Sequence, residues 1–375
     1  MDKKHIVMFI SSLNKGGSER VLVNLAGYFY RRGYAVTIVT QYRTENEYEI
    51  DGGIQRVYSE IPDSEIGKSR VINFIKRFRR LRNIWKKIKP DLILSFIGKN
   101  NMMAILTSRS LSIPVVISVR GEPKEEYYSK VLRWAAMVLF PMADGVVLQS
   151  RRSLDFFSQA VQEKAVILPN SIHPAFMREV YAGEREKKIV AVGRVDANKN
   201  HILIIKAFAS LAERYPDYEL VIYGEGELRS GLLEQVREMG LQDRVHLPGS
   251  ISDVADAIYK ASVFVLSSNS EGMPNTLMEA MALGIPSIST DCPCGGPAEL
   301  IENGVNGLLT EVDNWRKMEE NLQKIIGDKD FANKLSKNAA KIKEKLNPDL
   351  INAKWEEYFC RMMERKGRRR RRNDS

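Results

Sequence analysis

Cysteine and histidine are scarce in this chain. Its 375 residues include three cysteines and four histidines. Cys292 and Cys294 lie too close together to form the spaced framework of a disulfide-stabilised domain. A lone C-x-C has too few ligands for a zinc site, and the histidines do not cluster in sequence. We therefore expect structural or incidental thiols, no metal site and a reducing cytosolic environment.

Long apolar runs are also missing. No segment approaches the roughly 18 uninterrupted apolar residues that a membrane-spanning helix needs. The N-terminal sequence Met1-Asp-Lys-Lys leads into a short apolar strand, not into the longer apolar region of a signal peptide. These features predict a cytoplasmic protein that is not integral to a membrane.

The composition that is present is typical of a large globular protein. With 375 residues, 44% of them hydrophobic and 28% charged, the chain exceeds the usual span of one hydrophobic core. Short β-branched runs separated by helical patterns predict an α/β fold with doubly wound parallel sheets. The predicted strands are 6–10, 35–40, 91–96, 114–119, 145–148 and 165–168, and then 189–192, 218–223, 244–247, 263–266 and 286–289.

The pattern restarts after a polar stretch at 178–188, which predicts two domains. We expect two Rossmann-like domains, 1–172 and 173–348, whose strand ends face a central cleft. A helix at about 349–365 is expected to pack back on the first domain. The basic tail at 366–375 is expected to be disordered.

The most informative segment is 268–284, which follows an apolar run at 261–267 and predicts a strand, a turn and a helix. With Pro274 near the first helical position, the N–H groups of residues 273–277 can point at an anion. Glu271 would reach the ligand from the turn, and Glu279 would bind vicinal hydroxyls. Taken alone, two glutamates at this spacing are more often a dipole complement and a solvated charge.

A second turn carries two cations. Residues 187–200 predict another strand followed by a glycine turn, with Arg194 and Lys199 five residues apart. Alone they would be solvated, but beside an anion-binding helix end they would neutralise a diphosphate from the opposite side. The two segments together predict one site for a phosphorylated ligand.

These motifs resemble the retaining nucleotide-sugar glycosyltransferases of family 4, which have the GT-B fold. The resemblance rests on Gly193-Arg194 with Lys199, the Glu271 to Glu279 motif, the segment 295–309 and Asn14-Lys-Gly-Gly-Ser-Glu-Arg20. The last of these is similar to the family's glycine-rich acceptor-side loop. The resemblance spans nearly the whole chain, and it does not specify which sugar is moved.

The resemblance implies transfer of a hexose or N-acetylhexosamine from a UDP-sugar to a polyprenyl-diphosphate-linked glycan in surface polysaccharide synthesis. Glu271, Arg194 and Lys199 would be the catalytic residues. The donor would be bound by Gly193, Leu247, Gly272, Met273, Pro274, Asn275, Thr276, Leu277 and Glu279. Fixed cations and helix N–H groups would stabilise the leaving group, so we expect no cofactor and a metal-independent reaction.

On the acceptor side, the resemblance implies a role for Gly16 and Gly17. Many relatives carry a histidine in the loop that follows the strand predicted at 114–119, where this chain has Ser118-Val-Arg-Gly-Glu122. Arg120 would either bind an acceptor phosphate there or serve only as a loop cation.

The net charge of +10 is unevenly distributed. Ten Lys or Arg and no acid lie in 68–89, interleaved with apolar residues at spacings of three and four. This pattern predicts an amphipathic helix for an anionic bilayer, or one whose apolar stripe packs on the sheet. A second basic run at 366–372 would add to lipid binding, with nucleic acid the less favoured partner. We expect a peripheral protein at the inner face of the cell membrane.

Competing functions stay open at this point. A non-catalytic nucleotide- or nucleic-acid-binding scaffold would keep the basic surface without needing both glutamates and both cations. An epimerase or phosphorylase would need acid–base groups at the sugar or a cofactor lysine, and neither is evident. Gly224-Glu-Gly226 lacks the third glycine of a dinucleotide-binding motif.

Overall fold

The structure is a computed structural model that describes residues 3–373, without the side chains of residue 63 and of residues 366–373. The chain divides into two compact units. Unit 1 contains the chain up to Pro169 together with the segment from Asp349 onward, and unit 2 contains Asn170–Pro348.

Each unit is built on a parallel sheet, as predicted. The strands of unit 1 are β1 (His5–Ile10), β2 (Ala35–Thr40), β3 (Gln55–Tyr58), β4 (Leu92–Phe96), β5 (Val115–Ser118), β6 (Gly145–Leu148) and β7 (Ala165–Ile167). Those of unit 2 are β8 (Glu186–Val192), β9 (Glu219–Tyr223), β10 (Val245–Gly249), β11 (Ala261–Leu266), β12 (Ser287–Thr290) and β13 (Leu308–Thr310). Over the described residues the orders are β3-β2-β1-β4-β5-β6-β7 and β10-β9-β8-β11-β12-β13. Both orders reverse direction next to the first strand of the unit, which is the doubly wound arrangement that we expected.

Helices follow most of the strands. Their bounds are α1 (Gly17–Arg31), α2 (Arg70–Ile88), α3 (Gly98–Ser108), α4 (Pro123–Glu126), α5 (Lys130–Leu139), α6 (Gln159–Gln162), α7 (His201–Leu211), α8 (Arg229–Glu238), α9 (Val254–Ile258), α10 (Asn275–Ala282), α11 (Gly296–Leu300), α12 (Trp315–Gly327), α13 (Lys329–Ala339), α14 (Ile342–Lys345) and α15 (Pro348–Asn373). The central strands are buried almost without interruption, because helices cover both faces of each sheet.

Helices α2, α3 and α5 cover one face of the sheet of unit 1. Leu81 and Trp85 of α2, Ile105 of α3 and Ala136 of α5 all belong to the core that these helices form with alternate residues of the strands. On the other face, Phe29 of α1 stacks on Phe359 of α15 with ring centroids 5.1 Å apart. The C-terminal helix therefore completes the core of unit 1.

The structure differs from the sequence prediction in three places. The short strands β3 and β13 were not predicted. We also expected disorder from residue 366, but the backbone of α15 is helical through Asn373. Arginine has a high helix propensity, and here the run extends a helix that is already nucleated. The last two residues of the predicted tail lie outside the described part of the chain.

The core of unit 2 lies between its sheet and helices α7, α8, α12 and α13. Ile189 of β8, Val263 of β11 and Ile288 of β12 pack there with Phe208 of α7 and Leu322 of α12. This core fixes the strands, so the loops at their carboxyl ends are held at one edge of the sheet.

Candidate functional site

The turn between β11 and α10 carries the predicted anion-binding helix start. Pro274, predicted near the first helical position, is the N-cap of α10, and Asn275 is the first helical residue. The first-turn N–H groups of Thr276 and Leu277 have no acceptor within the helix, since α-helical bonding begins with the N–H of Met278 on the carbonyl of Pro274. The buried hydroxyl of Thr276 also has no hydrogen-bond partner among the described residues. The helix start therefore offers donors to an anion.

The two predicted segments meet at an ion pair. Lys199 Nζ lies 2.5 Å from Glu271 Oε1, and the two side chains are 16% and 14% exposed. Ser268 Oγ donates to the same oxygen of Glu271 at 2.7 Å. The structure thus unites the cation of one turn with the carboxylate of the other, a direct contact that we did not predict.

Arg194 has a different environment from Lys199. Its side chain is 75% exposed, and its Nε lies 3.2 Å from Asp196 Oδ2. The other oxygen of Asp196 accepts from the backbone N–H of Lys199 at 2.9 Å. Asp196 therefore fixes the turn, while the exposed guanidinium keeps most of its hydrogen-bonding capacity for another group.

His201 contacts the backbone of the turn that carries Arg194 and Lys199. Its Nε2 lies 3.2 Å from the carbonyl oxygen of Arg194, and the residue is 4% exposed. Burial lowers the pKa of His201 to about 4, and the charge of Lys199 acts in the same direction. The imidazole is therefore neutral at physiological pH and can donate its Nε2 proton to the Arg194 carbonyl.

Glycines bring the backbones of the site loops into close contact. A Cβ on Gly224 would lie 1.8 Å from the carbonyl oxygen of Gly193, and a Cβ on Gly296 would lie 1.9 Å from that of Gly272. No side chain fits at either position. The sequence signals were present in the G-x-G at 224–226 and the glycine pair at 295–296, but only the structure shows what these glycines contact.

The loop after β12 holds the Glu271 turn through small side chains. Thr290 Oγ1 donates to the carbonyl oxygen of Ser268 at 2.5 Å. Cys292 Sγ donates to the same oxygen at 3.3 Å, and Cys294 Sγ donates to that of Glu271 at 2.5 Å. Burial raises the pKa of Cys292 to about 12, so this thiol stays protonated and acts as a donor.

Several predicted donor residues are buried, among them Leu247, Met273, Leu277 and Glu279. Glu279 lies within α10 and is only 3% exposed, which is unusual for a carboxylate. Leu247 is 4% exposed and its side chain belongs to the core of unit 2. Its carbonyl oxygen accepts from Arg229 at 2.5 Å. The side chain of Leu247 therefore packs in the core and does not line a binding surface, because β10 points it inward.

The carboxyl edge of the sheet in unit 1 is polar and hydrogen-bonded. Gln41 Nε2 donates to Asn100 Oδ1 at 2.7 Å, and Asn100 Nδ2 donates to Ser11 Oγ at 2.9 Å. In the loop that follows β1, Gly16 is the extended N-cap of α1 and Gly17 is its first helical residue. The predicted glycine loop therefore begins a helix at the edge of the sheet.

Arg120 follows β5 at this edge and is only 6% exposed. Its guanidinium lies over the ring of Phe96, 4.7 Å from the centroid, and burial lowers its pKa to about 9. The Glu126 carboxylate accepts the backbone N–H groups of Arg120 at 3.1 Å and of Gly121 at 2.8 Å. Arg120 is thus a packed residue in a fixed loop and not a mobile surface cation.

The described residues contain no group of three or more His, Cys, Asp or Glu side chains placed to hold a metal ion. Asp328 and Asp330 form an Asp-x-Asp pair in the sequence. Asp328 is the N-cap of α13, and its Oδ1 accepts from Phe331 N–H at 2.9 Å. That aspartate has a structural role at a helix start.

Two family models match the chain. The model described as Glycosyltransferase Family 4 matches residues 15–176, and the model described as Glycosyl transferases group 1 matches residues 174–342.

Two relatives from Campylobacter jejuni match nearly the whole chain. One is an α-1,4-N-acetyl-D-galactosaminyltransferase named for a diphospho-undecaprenol-linked glycan, 28% identical over 89% of this chain and 92% of its own length. The other is an N-acetylgalactosamine-N,N'-diacetylbacillosaminyl-diphospho-undecaprenol 4-α-N-acetylgalactosaminyltransferase, 27% identical over 90% of this chain and 94% of its own.

Solved structures show the same fold. Anabaena HepE in complex with UDP superposes with a TM-score of 0.79 at 18% identity, covering 95% of this chain and 99% of that protein. Sucrose-phosphate synthase from Thermosynechococcus elongatus superposes with a TM-score of 0.80 at 18% identity, covering 96% and 99%.

Proposed function

Because this chain is a glycosyltransferase that belongs to family 4 and has the GT-B fold, we propose that it moves a sugar from a UDP-sugar to a polyprenyl-diphosphate-linked glycan. The names of the two Campylobacter relatives support such an acceptor. The UDP bound to HepE supports the donor. Surface polysaccharide synthesis is the setting that this acceptor implies.

The observation that carries the proposal is the contact between Lys199 and Glu271. It unites a cation suited to a diphosphate with a carboxylate suited to sugar hydroxyls. A diphosphate beside α10 competes with Glu271 for Lys199. The Glu271 carboxylate is then released toward the hydroxyls of the donor sugar.

The reaction breaks the bond between the anomeric carbon and the β-phosphate oxygen and forms one from that carbon to the acceptor oxygen. Negative charge develops on the departing diphosphate. Lys199, the exposed guanidinium of Arg194 and the first-turn N–H groups of α10 stabilise it, so no metal is required. The proton of the acceptor hydroxyl passes to the leaving phosphate oxygen, and attack on the same face retains the anomeric configuration. Glu279 binds the ribose.

A donor screen tests this function. Nucleoside diphosphate release is measured with UDP-, GDP- and ADP-sugars in the presence of a polyprenyl-diphosphate-sugar acceptor, with mass spectrometry of the product and with EDTA as a metal control. We expect UDP release and an acceptor heavier by one hexose or N-acetylhexosamine. Tight nucleotide binding by calorimetry without release from any donor would instead support the non-catalytic scaffold, which the enzyme relatives do not favour.

Because the proposed acceptor is held in a membrane, we propose that the protein works at the cytoplasmic face of that membrane. The cations of α2 would bind it to anionic lipid. No helix of the described residues is long and apolar enough to cross a bilayer. Near the C-terminal end of α2, Trp85 is fully buried and donates to Thr107 Oγ1 at 2.8 Å. Near its N-terminal end, Val71 is 68% exposed and Phe74 is 47% exposed. Its burial keeps Trp85 out of a bilayer. We therefore propose that only the exposed N-terminal part of α2 contacts lipid, while its C-terminal part packs on the sheet.

A further inference from the structure

Helix α5 has apolar residues on its outer side as well as its inner side. Inward, Ala136 is buried in the core of unit 1, with Leu132 and Leu139 packed against it. Outward, the exposed residues are Tyr128 just before the helix, at 67%, and Val131, Trp134, Met137 and Val138 within it, at 74%, 65%, 58% and 46%. We call these five residues the α5 patch. A cluster of large apolar side chains on the outer side of a helix is normally covered, so the α5 patch is a candidate contact surface.

The α5 patch lies on the same face of unit 1 as the basic helix. Helix α3 packs against both α2 and α5, and all three contribute to one core. Because α2 leads into β4 and α5 leads into β6, both helices begin at the carboxyl edge of the sheet. The exposed apolar residues near the start of α2 and the α5 patch therefore flank the edge that carries the predicted acceptor loop.

Charge decides between two possible occupants. The stretch 68–89 holds ten cations and no acid, and α5 itself adds Lys130 and Arg133 with no acid. A second copy of the chain would bring like charges together around the patch, which opposes association. An anionic bilayer offers phosphate groups to these cations and hydrocarbon to the apolar side chains between them.

We propose that the α5 patch inserts into the interfacial region of an anionic bilayer and anchors unit 1 beside its lipid-linked acceptor. This deepens the proposed function and rests on it for the acceptor. The contribution of α2 is electrostatic and is screened by salt, whereas burial of the α5 patch is not. Tryptophan suits such a site because its ring combines an apolar body with an N–H that stays hydrated.

The test measures vesicle binding without any acceptor, so it is independent of transferase activity. The full chain is sedimented with phosphatidylglycerol–phosphatidylcholine vesicles at about 0.15 M and 1 M salt, where the screening lengths are roughly 8 Å and 3 Å. The variant Val131→Ser/Trp134→Ser/Met137→Ser is compared with the wild type. Leu228→Ser/Met239→Ser, at unit 2 positions that are 41% and 38% exposed, is the matched control.

We expect residual wild-type binding at 1 M salt, reduced about tenfold or more in the triple variant and unchanged in the control. A second measurement uses one conservative substitution, Trp134→Phe, in place of three changes to serine. Vesicles with brominated acyl chains should quench wild-type tryptophan fluorescence. Trp134→Phe should abolish that quenching, because Trp85 and Trp355 are buried and Trp315 packs against the core of unit 2.

Four results would overturn the proposal. Equal binding of triple variant and wild type at 1 M salt, or absence of quenching, would show that the patch does not insert. A self-association that the triple variant weakens, seen by analytical ultracentrifugation, would assign the patch to a second copy. Lost turnover of the triple variant on a short-chain, water-soluble diphosphate acceptor would place the patch in the active site. If neither wild type nor variants turn over any acceptor, the proposed function fails while the vesicle result stands.

Discussion

Removing Lys199 should impair both stability and catalysis, whereas removing Arg194 should impair catalysis alone. The side chains of Lys199 and Glu271 are 16% and 14% exposed and 2.5 Å apart. Breaking a fully buried ion pair costs about 3–5 kcal/mol, because it leaves an uncompensated charge. Since both side chains keep some contact with water, we expect Lys199→Ala to lower the free energy of unfolding by about 2 kcal/mol. Arg194 is 75% exposed, so its replacement should leave stability unchanged.

The assay pairs thermal unfolding with nucleoside diphosphate release. One kcal/mol corresponds to roughly 2–4 °C in Tm for a unit of this size, so Lys199→Ala should melt about 4–8 °C lower. Turnover at saturating donor should fall about 10²–10³-fold in Lys199→Ala and in Arg194→Ala, since each removes a preorganised stabiliser of the leaving group.

A double variant separates the two effects. Lys199→Met/Glu271→Gln removes both charges, so it should recover most of the lost stability and none of the turnover. Lys187→Ala is the control, because Lys187 pairs with Asp217 at 2.7 Å in the same unit but the two side chains are 57% and 68% exposed. The reasoning is refuted if Lys199→Ala keeps wild-type turnover, or if the double variant is no more stable than the single one.

Three further outcomes are expected. Glu279→Gln should mainly weaken UDP affinity in calorimetry and Glu271→Gln should mainly lower turnover, and the opposite pattern would reverse their roles. Gly296→Ala should lower turnover at least tenfold, because the new Cβ would lie 1.9 Å from the carbonyl oxygen of Gly272. Gly231→Ala, whose Cβ would have no neighbouring atom within 4 Å, should leave turnover unchanged. Equal activity of the two variants would contradict the close contact at Gly296. Charge reversal on α2 should reduce vesicle binding at 0.15 M salt while the same change on α13 and α14 does not; equal losses would contradict a specific basic surface. The reversals on α2 are to Glu at Arg77, Arg80 and Lys87, and the controls are at Lys334, Lys337 and Lys345.

The sequence predicted the central strands well because their burial is continuous. β1, β4 and β11 are apolar runs covered on both faces, so composition alone distinguishes them from loops. It did not predict β3, at one edge of its sheet, where no residue is buried: the two end residues are exposed and the two middle ones are half-buried. β13, at an edge of the other sheet, has only three residues. Such strands form because a neighbouring strand supplies hydrogen-bond partners, and the residues of the edge strand do not themselves indicate that neighbour.

For the site, the sequence motifs identified the charged residues but did not predict how exposed each one is or which group it pairs with. Arg194 and Lys199 were equivalent cations in the sequence, yet the first is mostly exposed and the second is part of a nearly buried ion pair. The difference arises from contacts between segments 72 residues apart. Gly224 with Gly193 and Gly296 with Gly272 depend in the same way on backbone contacts across the fold. Glycine patterns mark these positions in the sequence, but a residue without a side chain does not reveal which backbone it contacts, so the distance between the two turns of the candidate site could not be predicted.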